Sequence, residues 1–144
     1  MIKKFRNKEK VFDYLKKTFS KSKIILIRGS SAKKPIKNFS DIDVEIYSNN
    51  PRKPYYEIVF IRDMPVLISA YFYKFKKGDI LKTPNNIKII NGEYNKSIKP
   101  DFSKEPYNNK EKIKRECQLA IDFMFKYLRT KNASNLKPIQ RRIQ

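Results

Sequence analysis

Two residue periodicities in one short chain predict an α+β (α/β-like) domain. The expected architecture is a small mixed, twisted sheet of four to five strands flanked by helices that cover one side. The strand evidence is the apolar run KIILIR at 23–28 and the strict alternation DIDVEIYS at 41–48. The helix evidence is apolar spacing at three- and four-residue steps near both ends of the chain. The 144 residues suit one domain, taken as 1–130, followed by a basic, loosely ordered tail at 131–144.

Taken in order, Val11, Phe12, Leu15 and Phe19 fall on one helical face, with Lys10, Lys16, Lys17 and Lys21 on the others. KIILIR is β-branched and ends at Gly29-Ser30-Ser31, which predicts a buried strand. The polar stretch from Ala32 to Ser40 contains Pro35 and reads as a loop or short helix. In DIDVEIYS, Ile42, Val44 and Ile46 point one way and Asp41, Asp43 and Glu45 the other. Two strands follow at 55–61 and 66–75, joined through Arg62, Asp63, Met64 and Pro65 as an antiparallel hairpin. A breaker-rich loop is expected at 78–86, a strand at 87–90 and a turn at Asn91-Gly92 leading to Glu93-Tyr94. After irregular structure from Ser97 to Asn109, a helix spans 110–130. Its expected core stripe is Ile113, Cys117, Ala120, Ile121, Met124 and Leu128, and Phe123, Phe125 and Tyr127 widen the apolar sector enough for a second packing surface.

Composition excludes several chemistries. The chain has no histidine, which rules out Ser-His-Asp and Cys-His catalysis and imidazole zinc sites. Three glycines can write neither a Walker loop nor a GxGxxG fingerprint. Cys117 is alone, so no internal disulfide forms. No run approaches the roughly 18 apolar residues of a membrane span, and the basic start MIKKFRNKEK lacks a signal's apolar segment. The expectation is a cytoplasmic protein without a membrane partner. The 34 Lys and Arg against 14 Asp and Glu leave a net charge of +20, which attracts polyanions and disfavours self-association. With 26 Lys to 8 Arg, a coding-composition bias explains that charge as readily as a nucleic-acid partner.

In so basic a chain, three of the fourteen acids sit on one face of one strand. Carboxylates two residues apart on a strand lie roughly 7 Å from one another, which favours a cation between them. Mg²⁺ takes one or two carboxylates plus phosphate and water oxygens, so Asp41 and Asp43 suit Mg²⁺ (or Mn²⁺). The preceding strand ends where Gly29 lets a triphosphate approach the backbone and Ser30 and Ser31 offer amide and hydroxyl donors. Solvated carboxylates paired with nearby lysines are the plain alternative.

The run ILIRGSSAKKPIKNFSDIDVEIY resembles the nucleotidyltransferases of the DNA polymerase β superfamily, whose pattern is a hydrophobic strand, Gly-Ser, about ten residues, then Asp-x-Asp between hydrophobic positions. The resemblance covers Ile24 to Tyr47. It implies a nucleotidyltransferase-like domain in which Gly29 and Ser30 hold the β- and γ-phosphates of a nucleoside triphosphate, ATP first. Asp41 and Asp43 would then be catalytic, binding the metal that aligns the triphosphate for in-line attack by an acceptor hydroxyl. Lys33 and Lys34, just after the turn, are candidate phosphate contacts. The family also places a third metal-binding carboxylate on a later strand. Here that strand reads Val66-Leu67-Ile68-Ser69-Ala70-Tyr71, with Ser69 nearest the position, and Glu57 or Glu45 are the candidate replacements. The alternative is therefore a catalytically degenerate domain that binds RNA or a partner protein. Tyr71, Tyr73 and Phe75 alternate with Lys74, Lys76 and Lys77 as stacking platforms would, or simply pack one sheet face. The 110–130 helix is the candidate surface for a protein partner or self-association.

Overall fold

The computed structural model describes residues 1–50, 52–77, 87–92, 98–100 and 109–143. The breaker-rich loop at 78–86, the Glu93-Tyr94 arm of the second hairpin and most of the irregular stretch before the long helix lie outside the described residues.

Strand β1 (Lys4–Phe5) leads into helix α1 (Lys8–Thr18). Asn7 caps that helix, its side chain accepting from the Lys10 amide at 3.0 Å. Val11, Phe12 and Leu15 are buried on its inner face, as their spacing requires. Strands β2 (Ile24–Arg28) and β3 (Asp41–Ser48) follow, separated by two short 3-10 turns at Ser30–Ala32 and Ile36–Asn38. Strands β4 (Tyr55–Ile61) and β5 (Met64–Lys77) make the expected hairpin about Arg62-Asp63, with Ile61 opposite Met64. After β6 (Ile87–Asn91) and β7 (Ile98–Pro100) come α2 (Asn109–Thr130) and, beyond a 3-10 turn at Ala133–Leu136, α3 (Lys137–Ile143). The tail expected to be loosely ordered thus contains a turn and a helix packed against α2. Its Pro138 sits in the first turn of α3, where no amide is needed.

The sheet is mixed and larger than four to five strands. Six strands run in the order β1-β4-β5-β3-β2-β6, and β7 pairs with the far end of β5. Strand β3 lies parallel to β5 and antiparallel to β2, so the DIDVEIYS strand is central. One face of the sheet carries the core. Ile25, Ile27, Ile42, Val44, Ile46, Val59, Val66, Ile68 and Ala70 pack there against α1. Full burial of one such aliphatic side chain contributes about 2 kcal/mol.

Helices flank both faces, correcting the expectation of one-sided cover. Helix α2 lies over the other face, and it does so with an unexpected phase. Its buried residues are Glu111, Gln118, Asp122 and Phe125, while Ile113, Met124 and Leu128 of the anticipated core stripe are exposed. The reason lies in the surface it covers. Asp41, Asp43, Glu45, Ser69, Tyr71 and Tyr73 share that sheet face, and a polar face is matched by the polar side of a helix.

Candidate functional site

Strand parity puts Asp41 and Asp43 on the α2 side of the sheet, because Ile42 and Val44 are fully buried on the α1 side. Arg28 is the register partner of Asp43, so β2 ends and Gly29 turns beside the acidic pair. Gly29 has φ +83° and ψ −155°, a combination open essentially to glycine alone. A Cβ there would meet nothing within 4 Å, so the space beside the bend is open. Beyond it, the amides of Ala32, Lys33 and Lys34 close back onto Gly29 and Ser30 carbonyls, and Lys8 Nζ donates to the Lys34 carbonyl at 3.0 Å.

Two cavities meet at Asp41. One, about 310 Å³, is lined by Ser30, Ser40, Asp41, Lys37, Lys126, Arg129 and Thr130, among others. The other, about 620 Å³, lies between the sheet and α2 and takes in Asp41, Asp43, Glu45, Arg28, Tyr71, Tyr73, Arg115, Gln118 and Asp122. Ser30 therefore shares a hollow with Asp41, while exposed Lys33 and buried Ser31 line neither. Ser31 is 2% exposed with its Oγ unpartnered, so it is not available to a ligand as the spacing suggested. Lys37, and neither Lys33 nor Lys34, lines the hollow that Ser30 shares with Asp41.

The acidic pair is electrostatically loaded. Burial, then the Asp41 and Asp122 charges, push Asp43 up to about 7. Asp41 is raised as well, by burial first and by Asp122, with Lys126 opposing. The charge of Asp41 is the first cause after burial that raises Asp43, so the two carboxyls act on one another. Such a pair fits a divalent cation, which relieves their mutual repulsion and leaves the remaining coordination to water and phosphate oxygens. Among the described residues no group of three or more His, Cys, Asp or Glu is gathered closely enough to hold an ion.

The proposed replacements for a third carboxylate fare differently. Glu57 is opposite Ile68, itself paired with Ile42, and so belongs to the α1 face. There the Tyr14 hydroxyl donates to it at 2.8 Å, Tyr55 donates as well and Lys3 lies at 3.5 Å. Glu57 cannot join the site. Glu45 does line the larger cavity, but Arg28 and the Tyr47 hydroxyl hold its carboxylate. Burial opposes the charge of Arg28, and Glu45 more than restores it. Ser69 sits opposite Asp43 in the parallel β3–β5 register, fully buried, with an unpartnered Oγ.

Asp122 on α2 is the acid that sequence reading missed. Its Oδ1 accepts from Ser40 Oγ at 2.9 Å and its Oδ2 lies 3.1 Å from Lys126 Nζ. Arg129, one turn beyond Phe125, donates from Nη2 to the Pro65 carbonyl at 2.6 Å, and burial lowers its pKa. No protein-family model matches the chain, and no curated protein sequence matches it. Its function rests on its own residues. On the large cavity's wall, Tyr71 stacks edgewise on Tyr56 at 6.2 Å and Tyr73 tilts against Tyr47 at 5.8 Å, so these aromatics are part of the packed sheet face as well as a lining. No helix among the described residues is long and apolar enough to cross a membrane.

Proposed function

We propose that this chain is a divalent-cation-dependent nucleotidyltransferase, moving a nucleoside monophosphate, AMP from ATP first, onto a hydroxyl of an acceptor. The observation that carries this reading is the position of Asp41 at the junction of two cavities, one basic beside Ser30 and one lined by tyrosines. Asp41 and Asp43 would hold the Mg²⁺ or Mn²⁺ ion. When bound, the ion supplies charge neutralisation of the triphosphate and electrophilic activation at its α-phosphorus. The chain's own residues do the rest. Gly29 leaves the backbone open to phosphate, and Lys37, Lys126 and Arg129 set positive charge around the same hollow. In the transfer, the acceptor oxygen bonds to the α-phosphorus as the bridge to the β-phosphate breaks, pyrophosphate leaves, and the hydroxyl proton passes to water.

One observation favours a second reading. A neutral, buried Ser69 stands opposite Asp43 where a third acid would serve, which suits a degenerate domain that binds nucleotide or RNA without turnover. Melting curves with Mg²⁺ and ATP, separately and together, test both. The enzyme gives a joint stabilisation of several degrees and label transfer from α-labelled ATP, and Asp41→Asn with Asp43→Asn abolishes both. A joint stabilisation without label transfer supports the second reading. RNA binding that weakens with salt and ignores those substitutions, with no Mg²⁺–ATP shift, removes the acidic pair from the function altogether.

A further inference from the structure

The outer face of α2 carries the apolar stripe that periodicity assigned to the core. Ile113, Met124 and Leu128 are 65, 46 and 45% exposed, and Cys117 is exposed between them. With half-buried Ile121 they form one line at four-, four-, three- and four-residue steps, about 22 Å long. The ends of that line are cationic. Lys110 and Lys114 near its start and Lys131 just past its end are exposed, Lys114 also lying 3.4 Å from Glu111, whereas of the helix's three acids Glu111 and Asp122 are buried on the inner side and Glu116 alone is exposed. The helix cannot hide this stripe by rolling inward, because its inner side is committed to Ser40, Arg129's hold on Pro65 and the polar face of the sheet.

We propose that this stripe docks an amphipathic helix of a partner protein, apolar along its contact line and rich in Asp and Glu at its flanks. The mode is a helix laid along a helix, with apolar anchors at three- and four-residue spacing and flanking charges that select the partner. A second copy of this chain is the wrong occupant. Pairing α2 with α2 in either direction sets lysine-bearing ends against lysine-bearing ends, on molecules that each carry +20. The inference uses only the outer face and stands or falls apart from nucleotide chemistry.

The probe is a labelled helical peptide of about three heptads with Leu on its contact line and Glu at the flanks, whose like charges keep it monomeric. Three comparisons are made by anisotropy at physiological ionic strength: a scrambled peptide of the same composition, a peptide with Lys replacing Glu, and an Ile113→Gln, Leu128→Gln protein. The expected result is micromolar binding of the acidic helix, weakened at least about tenfold by scrambling, by lysine or by the paired substitution. Both substituted positions are exposed, so melting temperature should hold. If it does not, Met124→Gln alone is used and should weaken binding about threefold or more. Equal binding of the acidic and scrambled peptides, or of wild type and variant, overturns the proposal. So does light scattering that finds a wild-type dimer which Ile113→Gln with Leu128→Gln returns to monomer.

Discussion

At Asp43 a carboxyl with an ordinary value of 3.8 is pushed up to about 7, by burial first and then by the charges of Asp41 and Asp122. The sign of the consequence follows from linkage. In the unfolded chain this group ionises near its ordinary value; in the folded one it keeps its proton until about pH 7. Stability contributed by Asp43 is therefore intact below about pH 4, falls as pH rises through the window between the two values, and levels off above it. Asp43→Asn removes the penalty. Denaturant titrations should find the variant more stable than wild type at pH 8, by up to about 4 kcal/mol, and no more stable at pH 4. A constant difference at both pH values would mean that packing, and not ionisation, separates the two proteins. Neighbouring Asp41 is raised for the same first reason, so it too loses stability as pH rises above its ordinary value.

Among the elements, α2 is where pattern and structure part. Its phase makes a direct prediction. Phe125 is 7% exposed and Met124 is 46% exposed, so Phe125→Ala should cost about 3 kcal/mol and Met124→Ala less than about 0.5. Reversed values in urea melts would restore the stripe to the core. The strands were readable because a period of two needs no knowledge of the partner: Ile42, Val44 and Ile46 could only be one face, and all three are fully buried. Helix α1 was readable because its partner surface is aliphatic, so amphipathicity and burial coincide. For α2 they do not, since the surface it meets is acidic and hydroxylated. Asp122 was invisible for the same reason, as a single acid on a helix whose apolar side was expected inward. Glu57 could not be assigned to a face from its strand alone. The two-residue turn at Arg62-Asp63 fixes the register that sets it opposite Ile68, and that pairing, not its own neighbours, sends it to the α1 side. The Gly-Ser bend beside Asp-x-Asp was legible because Gly29 performs a backbone task that no other residue performs cheaply.

For the whole molecule, the question is whether a charge of +20 is a diffuse coat or contains a place for phosphate. Lys16 and Lys17 stand exposed on α1, which packs on the sheet face opposite Asp41, while Lys37 and Lys126 line the hollow that Asp41 shares with Ser30. Each pair contributes the same two charges to the long-range field. Inorganic tripolyphosphate, titrated without divalent cation, separates field from site. Lys37→Ala with Lys126→Ala should weaken binding about tenfold near 150 mM salt, where distant charges are largely screened. Lys16→Ala with Lys17→Ala should weaken it less than about twofold under the same conditions. Loss of Lys126 also leaves Asp122 without its partner at 3.1 Å, which adds an uncompensated negative charge at the edge of the hollow and deepens the effect. Near 10 mM salt the Debye length grows to about 30 Å, both pairs act on the ligand alike and the contrast should shrink. If the two double variants already match at 150 mM, the lysines by Ser30 are part of the coat and phosphate has no seat there. If only the Lys37–Lys126 pair matters, the basic end of the site is real whether or not the acidic pair turns over a nucleotide.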